Sequence, residues 1–180
     1  MTAELDLHEL IEQCNACTDA GALGCYADLF ILPRDLETAA AKLRRADFFI
    51  EDINCVHIQE GFLLLYHFDH FDQPGRISLR IIISPDNPEI PSISSIFPGA
   101  NWHERECFDF FGIRFKGHPN LIPLLLDPEH QGPPPLLKDQ KDLKDLYQLS
   151  PCRTGKIPPN VQELSEVINQ MASSGPQEES

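Results

Sequence analysis

The sequence predicts an α+β fold. Three observations point there: two amphipathic helical repeats early in the chain, three strand-like runs after them, and turn signals where those runs meet. The expected architecture is N-terminal helices packed on a largely antiparallel sheet of three to five strands. A further helix near 101–112 and an extended C-terminal arm follow. The chain has 180 residues, 42% of them hydrophobic and 23% charged, which suits one globular domain with a tail.

The first helix is expected from Asp6 to about Cys17. Leu7, Leu10, Ile11, Cys14 and Cys17 recur at helical spacing, and Asp6 with Glu9 forms a capping-box pattern. A second helix is expected from about Asp35 to Ala46, with Leu36, Ala39, Ala40 and Leu43 on one face. Strands are expected near Phe48–Ile58, Phe62–Phe71 and Arg76–Ile83. In the third, Ile77, Leu79, Ile81 and Ile83 alternate with Arg76, Ser78 and Arg80, the pattern of a sheet with one wet face. Glu60-Gly61 and Asp72-Gln73-Pro74-Gly75 are the turns between them.

Pro85, Pro88, Pro91 and Pro98 then break the chain into a loop. A helix from Trp102 to Phe111 follows, with Asn101 as its cap and Gly112 as its stop. Ten of the sixteen prolines fall at or after Pro119. The expected division is therefore a core domain over 1–126, an extended arm over 127–160, an amphipathic helix over 161–172 and a disordered tail over 173–180. Val161, Leu164, Val167, Ile168 and Met171 supply that last helix with its apolar face.

A formal net charge of −14 excludes phosphate-driven binding to nucleic acid and electrostatic docking on anionic lipid. No apolar run approaches the roughly 18 residues of a membrane span. The opening MTAELDLHEL carries neither the basic nor the apolar region of a signal peptide, so a cytosol-like compartment is expected. The six cysteines then read as thiols. No Gly-rich phosphate loop and no G-x-S-x-G turn is present.

Several clusters could carry chemistry. Cys14, Cys17 and Cys25 supply three thiolates of a metal site, with Cys55, Cys107 or Cys152 as the fourth ligand, but Cys14 and Cys17 equally complete a helix face. His67 and His70 would point to opposite faces of a strand, so they cannot chelate together. His103 and Glu106 with His118 form a second conceivable metal set. Glu106 and Asp109 read either as a general acid/base pair or as part of a salt-bridged helix in which Arg105 neutralises Asp109. Gly117-His118-Pro119 is a turn, and the leucine run after it either covers its own domain or docks on another chain.

Residues 96–126 read IFPGANWHERECFDFFGIRFKGHPNLIPLLL. This string resembles the signature of the C subunit of NADH–quinone oxidoreductase, the respiratory complex I family. Glu104, Arg105, Glu106, Asp109, Phe110, Phe111, Gly112, Ile113, Phe115, Gly117, His118, Pro119 and Leu121 fit it in fixed register. GPPPLLKD near 132–139 is similar to the family's ending, with departures at Pro134 and Leu137 and, upstream, at Ile122-Pro123.

The resemblance implies a peripheral-arm subunit that binds no flavin, cluster, metal or nucleotide and has no catalytic residue of its own. Its partners would be the large D-type subunit that forms the quinone cavity, cluster-bearing subunits and, indirectly, membrane subunits. The complex would carry iron–sulfur clusters and quinone, with NAD and FMN if it is NADH-linked, and would sit on the cytoplasmic face of the cell membrane. Related subunits of ferredoxin-linked complexes and energy-converting hydrogenases share the signature. The expected role of Glu104, Arg105, Glu106, Asp109 and His118 is a buried charged network that fixes helix, turn and partner arm. Gly112, Phe115, Gly117, Pro119 and Leu121 would frame it.

Overall fold

The structure is a computed structural model, and it describes residues 25–72 and 75–149. The expected helices at 6–17 and 161–172 and the tail at 173–180 lie outside the described residues. The architecture is α+β, with two of the three pairings in the main sheet antiparallel.

Strand β1 (Cys25–Phe30) leads through a 3-10 turn at Pro33–Asp35 into helix α1 (Leu36–Arg45). Strands β2 (Phe49–Ile58), β3 (Gly61–Asp69) and β4 (Arg76–Ile83) then form a meander. The sheet order is β1-β4-β3-β2, with β1 parallel to β4. A short strand β5 (Glu89–Pro91) precedes helix α2 (Ala100–Phe111) and pairs in parallel with β6 (Arg114–Lys116) beyond it. A 3-10 turn at Gln140–Asp142 and the single-turn helix α3 (Leu146–Leu149) end the described chain.

The stripe expected on the second helix is its buried face. Leu36, Ala39, Ala40 and Leu43 are fully enclosed. Lys42, Arg44 and Arg45 occupy the last turn, where the helix dipole favours cations. Asp47, at φ 61°, reverses the chain into β2. Phe62, Leu64, Tyr66 and Phe68 of β3 and Ile77, Leu79, Ile81 and Ile83 of β4 share the core beneath α1 and α2. At the β2–β3 hairpin Gly61 has φ 135°, and a Cβ there would lie 2.2 Å from the Ile83 carbonyl oxygen.

Four expectations are corrected. Strand β1 was not foreseen, because six residues interrupted by Asp28 show no clean alternation; its identity comes from pairing with β4. The proline-punctuated loop contains β5, in which Pro91 takes a position on a two-stranded sheet that needs few donors. Asn101 does not cap α2, since the helix already begins at Ala100 after Gly99. Finally, the second face of β4 is not wet at Ser78 and Arg80, which are 2% and 8% exposed. Arg80 is central in the sheet and forms a two-pronged ion pair with Asp28 of β1 while lying over the Phe30 ring. Satisfying the guanidinium this way is what permits its burial.

Candidate functional site

Helix α2 and the chain after it bring the signature residues together, but as two separate clusters. The helix lies against β2 and ends where Gly112 adopts the left-handed conformation at φ 74°. That turn sends Ile113 and Phe115 into the core, 0% and 3% exposed, and aligns β6 with β5. Gly117, at φ 82°, makes the next reversal and places His118 back against α2.

The first cluster surrounds Glu104, which is 0% exposed. Its carboxyl accepts a hydrogen bond from the Ser92 hydroxyl at 2.5 Å and one from the Ile93 N–H at 2.8 Å. Ser94 stands 2.8 Å from Ser92, oxygen to oxygen. His118 Nε2 lies 3.9 Å from Glu104 Oε2, with both side chains shielded from solvent. The His118 ring accepts the Asn120 N–H at Nδ1, which leaves Nε2–H to donate to the Asn101 carbonyl. The imidazole is therefore neutral. Burial holds its pKa below the ordinary histidine value, and Arg105 pushes the same way. Burial raises Glu104 to about 7, against the opposing pull of Ser92 and Ile93. The pair is thus a carboxyl beside a neutral imidazole, not a salt bridge. The Tyr66 hydroxyl is enclosed nearby and has no hydrogen-bond partner among the described residues.

The second cluster is a clamp on the loop that follows β6. Arg105 donates through Nε to the Ile122 carbonyl at 2.9 Å and through a terminal nitrogen to the Pro123 carbonyl at 2.8 Å. Asp109 Oδ2 accepts the N–H groups of Leu124, Leu125 and Leu126 at 2.9, 2.7 and 3.1 Å. One helix face therefore reads five consecutive residues, carbonyls with the cation and N–H groups with the anion. Arg105 and Asp109 are separate arms of this clamp, and the expected neutralisation of one by the other does not occur in it. Leu121 packs against the core beside them. Glu106 is exposed and makes no hydrogen bond to either cluster, whereas Asp109, the other half of the expected carboxylate pair, is buried in the clamp. Gly117 and Pro119 are exposed at the turn.

The clamp leaves apolar side chains facing outward. Trp102, one turn before Arg105, is 66% exposed, and Ile122 and Leu125 are 50% and 64% exposed. Further along, the Leu136 N–H donates to the Phe110 carbonyl at the end of α2, and Leu136 and Leu137 are exposed. Pro134 sits over Gly112, 3.1 Å from where a Cβ would be. Ser92, Ser94 and Ile93 escaped sequence reasoning, because their link to Glu104 spans a loop. The S-x-S spacing just upstream of the helix was the signal available.

Other candidate residues sit elsewhere. His67 pairs with Asp52 across β2 and β3 at 2.6 Å, while His70 packs edge-on against Phe48. Cys55 and Cys107 are free thiols; burial pushes both upward, Cys107 to about 12. Cys14, Cys17 and Cys152 lie outside the described residues, as does the Cys25 side chain. Among the described residues, no group of three or more His, Cys, Asp or Glu is placed to hold a metal. No described helix is long and apolar enough to cross a membrane.

Comparison with known proteins finds relatives of part of the chain. The chain is 45% identical over 78 residues to the NADH-quinone oxidoreductase C subunit of Roseiflexus sp., covering 43% of this chain and 44% of that protein. It is 44% identical over 79 residues to the NADH-quinone oxidoreductase C/D subunit of Methylococcus capsulatus, covering 44% of this chain and 13% of that protein. It is 39% identical over 92 residues to the F(420)H(2) dehydrogenase C subunit of Methanosarcina mazei, covering 51% and 54%. The match thus spans about half or less of these relatives' lengths. A chain of an archaeal membrane-bound sulfane sulfur reductase shares the fold, with a TM-score of 0.56 at 22% identity over 76% of this chain and 81% of that one. The family described as "Respiratory-chain NADH dehydrogenase, 30 Kd subunit" matches residues 29–145, from within β1 to the residue before α3 and including both clusters. The chain belongs to that family.

Proposed function

We propose that the chain is a non-catalytic, C-type subunit of a membrane-associated, quinone-reducing complex, held at its cytoplasmic face. In this reading the large quinone-cavity subunit is its direct partner, with cluster-bearing subunits beside it and membrane subunits reached indirectly. Electron transfer through clusters to quinone, and the coupled ion movement, belong to those neighbouring chains.

The carrying observation is the clamp. Arg105 and Asp109 fix five residues of a loop whose apolar side chains, Ile122 and Leu125, face outward beside Trp102. An apolar loop rigidified by its own helix loses little entropy on docking, so it suits a permanent interface. The compound name C/D of the Methylococcus capsulatus relative supports the D-type subunit as the partner. The chemistry of the carboxylates also favours a structural role. Asp109 Oδ2 is occupied by three N–H donors, and Glu106 is exposed.

The relation to an F(420)H(2) dehydrogenase subunit favours a second version, in which a donor other than NADH feeds the complex. Affinity purification of the tagged chain from detergent-solubilised membranes tests both. A large D-type chain with cluster-bearing subunits should co-purify, and the input module that accompanies them identifies the donor. A lone monomer would refute the assembly reading. Arg105→Ala should reduce recovery of the large subunit; normal assembly with lost turnover would point to catalysis instead.

A further inference from the structure

The core face of the main sheet carries both α1 and α2. Its outer face is apolar at one end, where Phe30 of β1, Leu65 of β3 and Ile82 of β4 stand half-buried. The described residues that pack there from off the sheet are Leu146 and Leu149, at the single turn of α3. Yet Asp28, Ser78 and Arg80 on the same face are only 7%, 2% and 8% exposed, and the Ser78 hydroxyl has no partner among the described residues.

The chain ahead of β1 has the length and pattern to cover this face. It enters at Cys25, which pairs with Arg76, so it arrives at the start of both parallel strands. Phe30 and Ile82 lie toward the far end. The twelve residues Asp6–Cys17 would measure about 18 Å as a helix, close to the ~20 Å of a six-residue strand. Residues 18–24, with Gly21 and Gly24, leave seven positions for the reversal. A helix laid back antiparallel to β1 puts its first turns over the apolar end.

We propose that the amphipathic segment Asp6–Cys17 covers the outer face of the sheet over β1 and β4, with Leu7, Leu10 and Ile11 seated on Phe30, Leu65 and Ile82. Cys14 and Cys17 then face the sheet as small apolar groups, and Glu9 and Glu12 line the solvent side. The sheet becomes a middle layer with helices on both faces. This arrangement is independent of the partner surface on α2.

A photoreactive benzoylphenylalanine in place of Phe30, in the full chain, tests the assignment. The purified chain and native membranes are irradiated and the adducts mapped by mass spectrometry. Adducts within residues 6–17 are expected in both samples, and the double variant Leu10→Asp, Ile11→Asp should abolish them. Adducts to residues 150–180, to another polypeptide, or to no peptide would overturn the proposal. Hydrogen exchange on the chain with native Phe30 gives a second reading. Leu10→Asp should speed exchange in β1 by on the order of tenfold while leaving α2 unchanged; unchanged exchange in β1 would equally overturn it.

Discussion

At Glu104, two hydrogen-bond donors hold a carboxyl that burial raises from an ordinary value of 4.5 to about 7. A raised folded-state pKa means that the folded protein binds this proton more tightly than the unfolded chain does. The resulting stability is complete below about pH 4.5 and is lost as pH rises through about 7. The span corresponds to about 3 kcal/mol. Urea unfolding between pH 4.5 and 7.5 should show this decline, and Glu104→Gln should flatten it; an identical slope in the variant would exclude Glu104 as its source. Asp109 holds its loop through Oδ2, which accepts three N–H groups. Asp109→Ala leaves those donors in a part-buried loop and should cost about 2–4 kcal/mol, whereas Asp109→Asn keeps an acceptor and should cost about half as much. Limited proteolysis between Leu121 and Leu126, with thermal unfolding, would distinguish the two.

Two contacts between elements decide how the strands assemble. Gly61 is where β2 turns into β3, beside the end of β4. Gly61→Ala must relieve both a positive φ and a Cβ 2.2 Å from the Ile83 carbonyl. A loss of about 2–4 kcal/mol is expected from strain and displaced backbone, read as a lower urea midpoint. The Asp28–Arg80 pair joins the parallel edge strand to the centre of the sheet. Asp28→Ala should cost about 3–5 kcal/mol by leaving a buried guanidinium, while the double change Asp28→Leu, Arg80→Met should recover most of it. If the double variant is as unstable as the single one, the pair contributes more than charge compensation.

For the whole molecule, the contrast is between an enclosed core and an outward apolar stretch at Trp102, Ile122 and Leu125. Removing apolar area from an exposed surface changes folding stability little and removes binding energy from an interface. Leu125→Asp with Trp102→Ser should leave the unfolding free energy of the isolated chain, from urea titration, within about 0.5 kcal/mol of the parent. The same pair should abolish co-purification of the large subunit. A fully assembled complex containing this variant would place the interface elsewhere.

The sequence by itself determined the local elements whose signals repeat within a few residues. The α1 stripe at Leu36, Ala39, Ala40 and Leu43, the alternation of β4 and the Gly112 stop all follow from backbone periodicity and from glycine's freedom at positive φ. The register of Glu104 through Leu121 marked that stretch of chain without showing which of its residues meet. Tertiary structure decided their partners. Asp109 meets residues fifteen to seventeen positions ahead, Glu104 meets residues eleven and twelve behind, and Arg80 meets an aspartate fifty-two behind. Such bonds depend on how loops close and which strand lies central, and neither is encoded at short range. For that reason one expected charged network became two clusters, and an expected wet face is enclosed at Ser78 and Arg80.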